Sequence, residues 1–339
     1  MKNKVFIVFL LVFAITAFLL PTYAITVAKA EQTVYLGGIP IGIGLAENGL
    51  IVTGMVDVIT DEGVVCPARG TEILTGDLVI AVNGYPIRNA ADFASILQTS
   101  EGDVALTVKR GDSELNFTVT PATDSLTGLK KVGLTLKNGI NGIGTMTFIL
   151  PDGLKFGSLG HGIIDADTGK PFICDAGSVY KCYIGSFKRP EQGKAGELTG
   201  KFIERGAPIG EIKRCNAFGV YGVVKNEVTE GLERIPIASR KDVKTGAAFI
   251  YSTISGDKPR RYEVEIVKTA NQRKPQEKSM LIRIVDKELL EQTGGILQGM
   301  SGSPIVQNGK LIGAVTHVLV NDSALGYGLY LDWMLQNVA

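Results

Sequence analysis

Gly299-Met300-Ser301-Gly302-Ser303-Pro304-Ile305, followed by Asn308-Gly309 and Leu311-Ile312-Gly313-Ala314-Val315, is the stretch that decides the fold. The Asn-Gly pair predicts a tight hairpin turn, since both central residues of such a turn take positive φ. Leu311 to Val315 then reads as a buried returning strand. Glycines on either side of Ser301 let its hydroxyl project while neighbouring N–H groups converge on one point. Acyl transfer needs that geometry, because those N–H groups must face the oxyanion of the transition state. Gly299 and Ser301 are the expected donors. Alone, a Gly/Ser turn before a strand is ordinary; the hairpin behind it makes it informative.

A serine hydroxyl needs a base, and the chain has two histidines. His161 lies in Ser158-Leu159-Gly160-His161-Gly162, at a strand end and ahead of Ser301. His317 follows Ser301 on the returning strand. The glycine corner with its hairpin resembles the nucleophile region of chymotrypsin-like serine peptidases, where the base precedes the serine. That layout makes His161 the base and His317 a wall of the cleft. For an orienting carboxylate the residues leave alternatives. Asp286 shares a strand face with Ile282 and Ile284, yet it also precedes Lys287-Glu288-Leu289-Leu290 as a helix N-cap. Asp165, Asp167 and Asp175 stand closer to His161 in sequence. The two histidines lack a third ligand at zinc-site spacing, so neither a metal nor another cofactor is expected.

Upstream, Gly76-Asp77-Leu78-Val79-Ile80-Ala81-Val82-Asn83-Gly84-Tyr85-Pro86-Ile87 reads as strand, tight turn and second strand. Asn89 caps an expected helix with Ala90, Phe93, Ile96 and Leu97 on one face. Val104, Leu106 and Val108, then Leu115, Phe117 and Val119, alternate as a hairpin. This order closely resembles a bacterial PDZ domain, expected over residues 31–122. The resemblance implies a glycine loop that binds peptide C-termini, at Tyr35-Leu36-Gly37-Gly38, with the peptide adding to a sheet edge. A polar connection over 123–143 and a peptidase domain over 144–339 complete the expected layout. Many short strands with turns between them predict a mainly β barrel or sandwich.

The 339 residues include 35 basic and 34 acidic side chains, for a net charge of +1, so no nucleic-acid partner is expected. Lys2 and Lys4 precede a largely apolar stretch from Val5 to Leu20. Pro21 interrupts it, Tyr23 to Val27 extend it, and Ala28-Lys29-Ala30 is a small-x-small site. Residues 1–30 therefore read as a signal peptide or, through residues 5–27, as a retained membrane anchor. Either way the rest is exported. In an exported chain the four cysteines are permitted a disulfide, with Cys174 and Cys182 the nearest pair, while free buried thiols are the expected state for most of them.

GHGIIDADTG from Gly160, with QGMSGSPIVQNGKLIGAVTHVLVNDSALGYG from Gln298 behind a PDZ-like segment, is similar to the stage IV sporulation protein B (SpoIVB) serine peptidases. The resemblance implies catalytic roles for His161, Ser301 and Asp286. It also implies export across the forespore membrane into the intermembrane space, self-cleavage, and cutting of a regulator of an intramembrane protease that activates a late sigma factor. Competing readings are a non-catalytic PDZ scaffold and a general quality-control protease; PDZ-bearing proteases of the latter kind usually carry the PDZ second.

Overall fold

The computed structural model describes residues 32–45, 48–111, 113–167, 169, 171–172, 174, 176–202 and 207–338. The expected leader, residues 1–30, lies outside the described residues. Among those described, no helix is long and apolar enough to cross a membrane.

Short glycine-marked strands close into a first ring. Pro40–Leu45 pairs with Ile140–Ile149 on one side and with Gly177–Lys188 on the other. From Ile140–Ile149 the ring passes through Lys155–Ser158, Gly219–Val224 and Gly210–Asn216, back to Gly177–Lys188. These six antiparallel strands leave no open edge in the ring. Ile41, Ile43, Met146, Phe156, Val179, Ile212 and Val220 fill its core.

A second closed antiparallel barrel follows in the chain. Its order is Gly246–Ser252, Arg260–Thr269, Met280–Ile284, Asp322–Tyr330, Lys310–Leu319 and Pro304–Gln307, which returns to the first strand. Along Arg260–Thr269, Tyr262, Val264 and Ile266 are buried between exposed Arg261, Glu263 and Glu265. That is the two-residue period of a strand with one face in a core. The expected turn sits between Pro304–Gln307 and Lys310–Leu319, with φ of 52° at Asn308 and 73° at Gly309. The fold is mainly β, as expected.

Residues 50–137 form a third unit around Leu50, Val79, Phe93, Leu97, Leu106 and Val119. Its sheet order is Leu134–Lys137, Leu50–Met55, Leu78–Val82, Val104–Arg110 and Ser113–Val119. Helix Ala90–Thr99 buries Phe93 and Leu97, and the Asn89 side chain accepts from the Asp92 N–H at 2.9 Å. The strand, turn, helix and hairpin of the PDZ-like pattern are therefore present.

The expected boundaries are not. Thr33–Leu36 and Pro40–Leu45, expected at the front of the PDZ segment, belong to the first barrel's sheet. Leu134–Lys137, expected in the connection, completes the PDZ-like sheet by pairing with Leu50–Met55. Leu45 and Ile140 are partners on adjacent strands, so the PDZ-like unit leaves and re-enters the barrel at one edge. It is an insertion in the first barrel, tolerated because its ends lie side by side.

Tyr35-Leu36-Gly37-Gly38 is accordingly not a carboxylate loop. Tyr35 and Leu36 pair with Ile149 and Phe148. The Gly37 N–H donates to the Thr147 carbonyl at 3.0 Å and the Gly38 N–H to that of Met146 at 2.7 Å. Donors engaged in this way are closed to a peptide terminus. A Cβ on Gly37 would lie 2.1 Å from the Met146 oxygen, so close backbone approach accounts for the glycine.

Candidate active site

His161 projects from the first barrel, just after Lys155–Ser158. Leu159 and Gly160 take φ of 65° and 72°, which turns the chain toward the second barrel. The His161 Nδ1 lies 2.7 Å from the Gly162 carbonyl oxygen. A carbonyl only accepts, so Nδ1 carries the proton and Nε2 is left as acceptor. That is the tautomer a general base requires. Burial holds the imidazole below its ordinary pKa of 6.5, against a smaller opposing pull from Gly162 and Glu277. The ring is therefore neutral at pH 7.

Ser301 comes from the second barrel, in the loop before Pro304–Gln307. Its hydroxyl donates to the Thr316 carbonyl at 2.6 Å. The loop is fastened to the first barrel by two threonines of Ile140–Ile149. Thr145 donates its hydroxyl to the Gly299 carbonyl at 2.9 Å, and Thr147 donates to that of Gly302 at 2.7 Å. The Thr145 N–H also reaches the Ser301 carbonyl, at 3.0 Å. Gly302 has φ of 97°, and a Cβ there would fall 2.0 Å from the Thr145 oxygen. Only glycine lets the backbones approach so closely. Neither the Gly299 nor the Ser301 N–H has an acceptor among the described residues.

His161, His317, Ser301, Gly299 and Leu159 line one cleft of about 490 Å³. The imidazole centroids lie 4.6 Å apart with planes inclined at 38°. Burial, then the neighbouring His161 and Lys278, hold His317 down at about 4, so it too is neutral. Among the described residues no group of three or more His, Cys, Asp or Glu side chains could hold a metal ion.

A glycine-set serine and a neutral imidazole that line one cleft between two six-stranded barrels have the chemistry of a peptidase. The family model described as SpoIVB peptidase S55 matches residues 128–335. The chain belongs to the SpoIVB peptidase family. It is a serine peptidase. Among solved structures, the PDZ domain of an SdrC-like protein from Listeria monocytogenes is 20% identical, with a TM-score of 0.22, over 27% of this chain and 90% of that one. The active form of the Rv3671c protease from M. tuberculosis is 15% identical, with a TM-score of 0.28, over 58% of this chain and 72% of that one. The inactive serine-to-alanine form is 14% identical, with a TM-score of 0.29, over 58% and 81%. No curated protein matches the chain.

Within this SpoIVB chain, Asp286 is not where the resemblance would have it. Its side chain caps helix Lys287–Thr293, accepting from the Leu289 N–H at 2.9 Å. The other oxygen accepts from the Glu263 N–H at 3.2 Å. It does not line the cleft, and the Nδ1 of His161 meets the Gly162 carbonyl instead. An aspartate three residues before a helical N–H is positioned by the chain itself, which accounts for the cap. Of the rivals, Asp165 and Asp167 both pair with Lys137, and Asp175 lies outside the described residues. Sequence reasoning missed Gly162, Thr145 and Thr147. A carbonyl leaves no mark in residue type, but the threonines' spacing of two on a strand was a signal for one shared face.

Proposed function

We propose that the protein is an exported serine endopeptidase of sporulation signalling, with Ser301 as nucleophile and His161 as general base. One observation carries this reading: the two side chains line one cleft, and His161 is held in the accepting tautomer. Substrate entry turns the Ser301 hydroxyl from the Thr316 carbonyl toward His161 Nε2, which takes its proton as Oγ bonds the scissile carbonyl carbon. The Gly299 and Ser301 N–H groups receive the oxyanion. His161 then protonates the leaving amine, and water cleaves the acyl-enzyme by the same route. A carbonyl stands where a triad carboxylate would, so among the described residues no carboxylate bonds the His161 Nδ1.

The family resemblance supports self-cleavage and cutting of a regulator of an intramembrane protease. It also supports a site of action in the intermembrane space, with residues 5–27 as a retained anchor or a removed leader. Peptide C-termini would add to Leu134–Lys137, an edge strand of the PDZ-like sheet. The preceding Gly133 takes φ of 75°, and its N–H has no acceptor among the described residues. The shared cleft favours this reading over a non-catalytic scaffold.

The test is cleavage of a protein substrate by purified wild type and Ser301→Ala. The variant removes one hydroxyl and no large contact, so it should melt like wild type while cleavage disappears. Cleavage retained by a folded Ser301→Ala protein would refute the nucleophile assignment.

A further inference from the structure

Two of the four cysteines, far apart in sequence, are partners across neighbouring segments. Cys174 ends the segment that begins at His161, and Cys215 lies on Gly210–Asn216 of the first barrel. They are direct partners in an isolated antiparallel bridge, and the Cys215 N–H donates to the Cys174 carbonyl at 2.8 Å. Opposed residues in such a bridge point to the same side with Cα atoms about 5.5 Å apart. A disulfide spans Cα separations of about 4.4–6.8 Å. Both are reduced thiols in the first barrel's core, where the Cys174 thiol donates to the Ala176 carbonyl at 3.2 Å and the Cys215 thiol to that of Phe172 at 3.3 Å. Cys182, the nearest in sequence, belongs to the other barrel's core cluster, and Cys66 lies on the PDZ-like unit beside the Gly133 carbonyl.

We infer that Cys174 and Cys215 form a disulfide that staples the His161-bearing segment to the first barrel. The adjoining chain is already set for it: at Gly162 a Cβ would lie 3.2 Å from the Ala217 Cα, so the two segments pack closely just beyond the cysteines. Cys215 is 1% exposed, and its thiol is pushed up by the neighbouring Cys174 thiol and by burial, which makes it inert once the barrel closes. The bond therefore forms during folding. One thiolate attacks a small-molecule disulfide such as oxidised glutathione and releases one glutathione thiolate. The second cysteine thiolate then displaces the other. The S–S bond forms, two electrons and two protons leave the protein, and the oxidant ends as two thiols.

The test is refolding of the reduced, denatured full chain in a buffer of reduced and oxidised glutathione, followed by alkylation and peptide mass spectrometry. The expected product carries alkyl groups on Cys66 and Cys182 only, with one linked peptide joining Cys174 to Cys215. Cys215→Ser should lack that peptide and bear alkyl groups on all three remaining cysteines. The crosslink closes a loop of about 40 residues. The oxidised wild type should melt on the order of 5–10 °C above the same protein after reduction. Four alkylated cysteines in the refolded wild type, a bond to Cys66 or Cys182, or no difference in melting would overturn the inference. None of these readouts depends on peptidase activity.

Discussion

The two barrels have the same number of strands and opposite relations to the chain. The second is one continuous segment, Gly246 to Tyr330, and each of its hairpins closes locally. The first joins Pro40–Leu45 to Ile140–Ile149 across a whole inserted unit. The second barrel presents Ser301, and the first presents His161. A catalytic pair is thus built between a barrel whose register is set by nearby turns and one whose closing strand comes from before the insertion. Closing that ring costs loop entropy, which grows only slowly with the length inserted, so a PDZ-like unit fits where a turn would serve.

The pairing across barrels can be broken most severely at its chemistry. His161→Ala should lower cleavage on the order of thousands-fold, with melting close to wild type, as measured by single-turnover rates on a protein substrate. A loss of less than tenfold would mean that His161 is not the base.

Next comes the seam. Gly302→Ala forces a Cβ onto the Thr145 oxygen at a φ of 97°, so the nucleophile loop must leave the first barrel or strain it. Unfolding in denaturant should show a loss of about 3 kcal/mol or more, with cleavage falling alongside. An equally stable, active Gly302→Ala protein would mean that the barrels do not meet there as described.

A smaller effect separates the two roles of Asp286. Asp286→Ala should cost about 1 kcal/mol of stability through loss of the cap. Asp286→Asn retains an acceptor for the Leu289 N–H, gives up the Glu263 bond, and should keep its cleavage rate within a few-fold. A thousands-fold loss in a stable Asp286→Asn protein would return the residue to a catalytic role.

The smallest expected effect sharpens the comparison itself. Because Leu45 and Ile140 are partners, replacing residues 46–139 by an Asn-Gly turn should leave the first barrel closed. The shortened protein should cleave a small peptide ester within a few-fold of the wild-type rate, measured by its acylation burst. An unfolded product would mean that the insert is part of the barrel's core.

The second barrel was legible because its signals are local. Asn308-Gly309 states a turn, Tyr262 to Ile266 alternate, and Ser301 stands among glycines. Asn89 likewise announced its helix. The first barrel was less legible, since its strand partners lie far apart in sequence. Tyr35-Leu36-Gly37-Gly38 has the residues of a carboxylate loop, but its N–H groups are already donated to Thr147 and Met146. His161 was found from its glycine setting, whereas its orienting partner is a backbone carbonyl that no residue type encodes. Asp286 satisfied two patterns at once, and sequence distance could not choose between them.

Activation of Ser301 by a neutral His161 is read most directly from the rate of labelling by a fluorophosphonate as a function of pH, with the adduct mapped by peptide mass spectrometry. Burial holds His161 below 6.5, so the rate should stay level from pH 8 to about 6.5 and fall only below it. Because the folded imidazoles have depressed pKa values, the unfolded chain binds more protons as the pH falls from about 6.5 toward the value of about 4 held by His317. Their contribution to stability is lost over that window, so each rate is read beside a melting curve at the same pH. A single adduct is expected, on Ser301, and His161→Ala should slow its formation on the order of thousands-fold. An adduct elsewhere, no adduct on folded protein, or a rate already falling above pH 7 would contradict activation of Ser301 by His161.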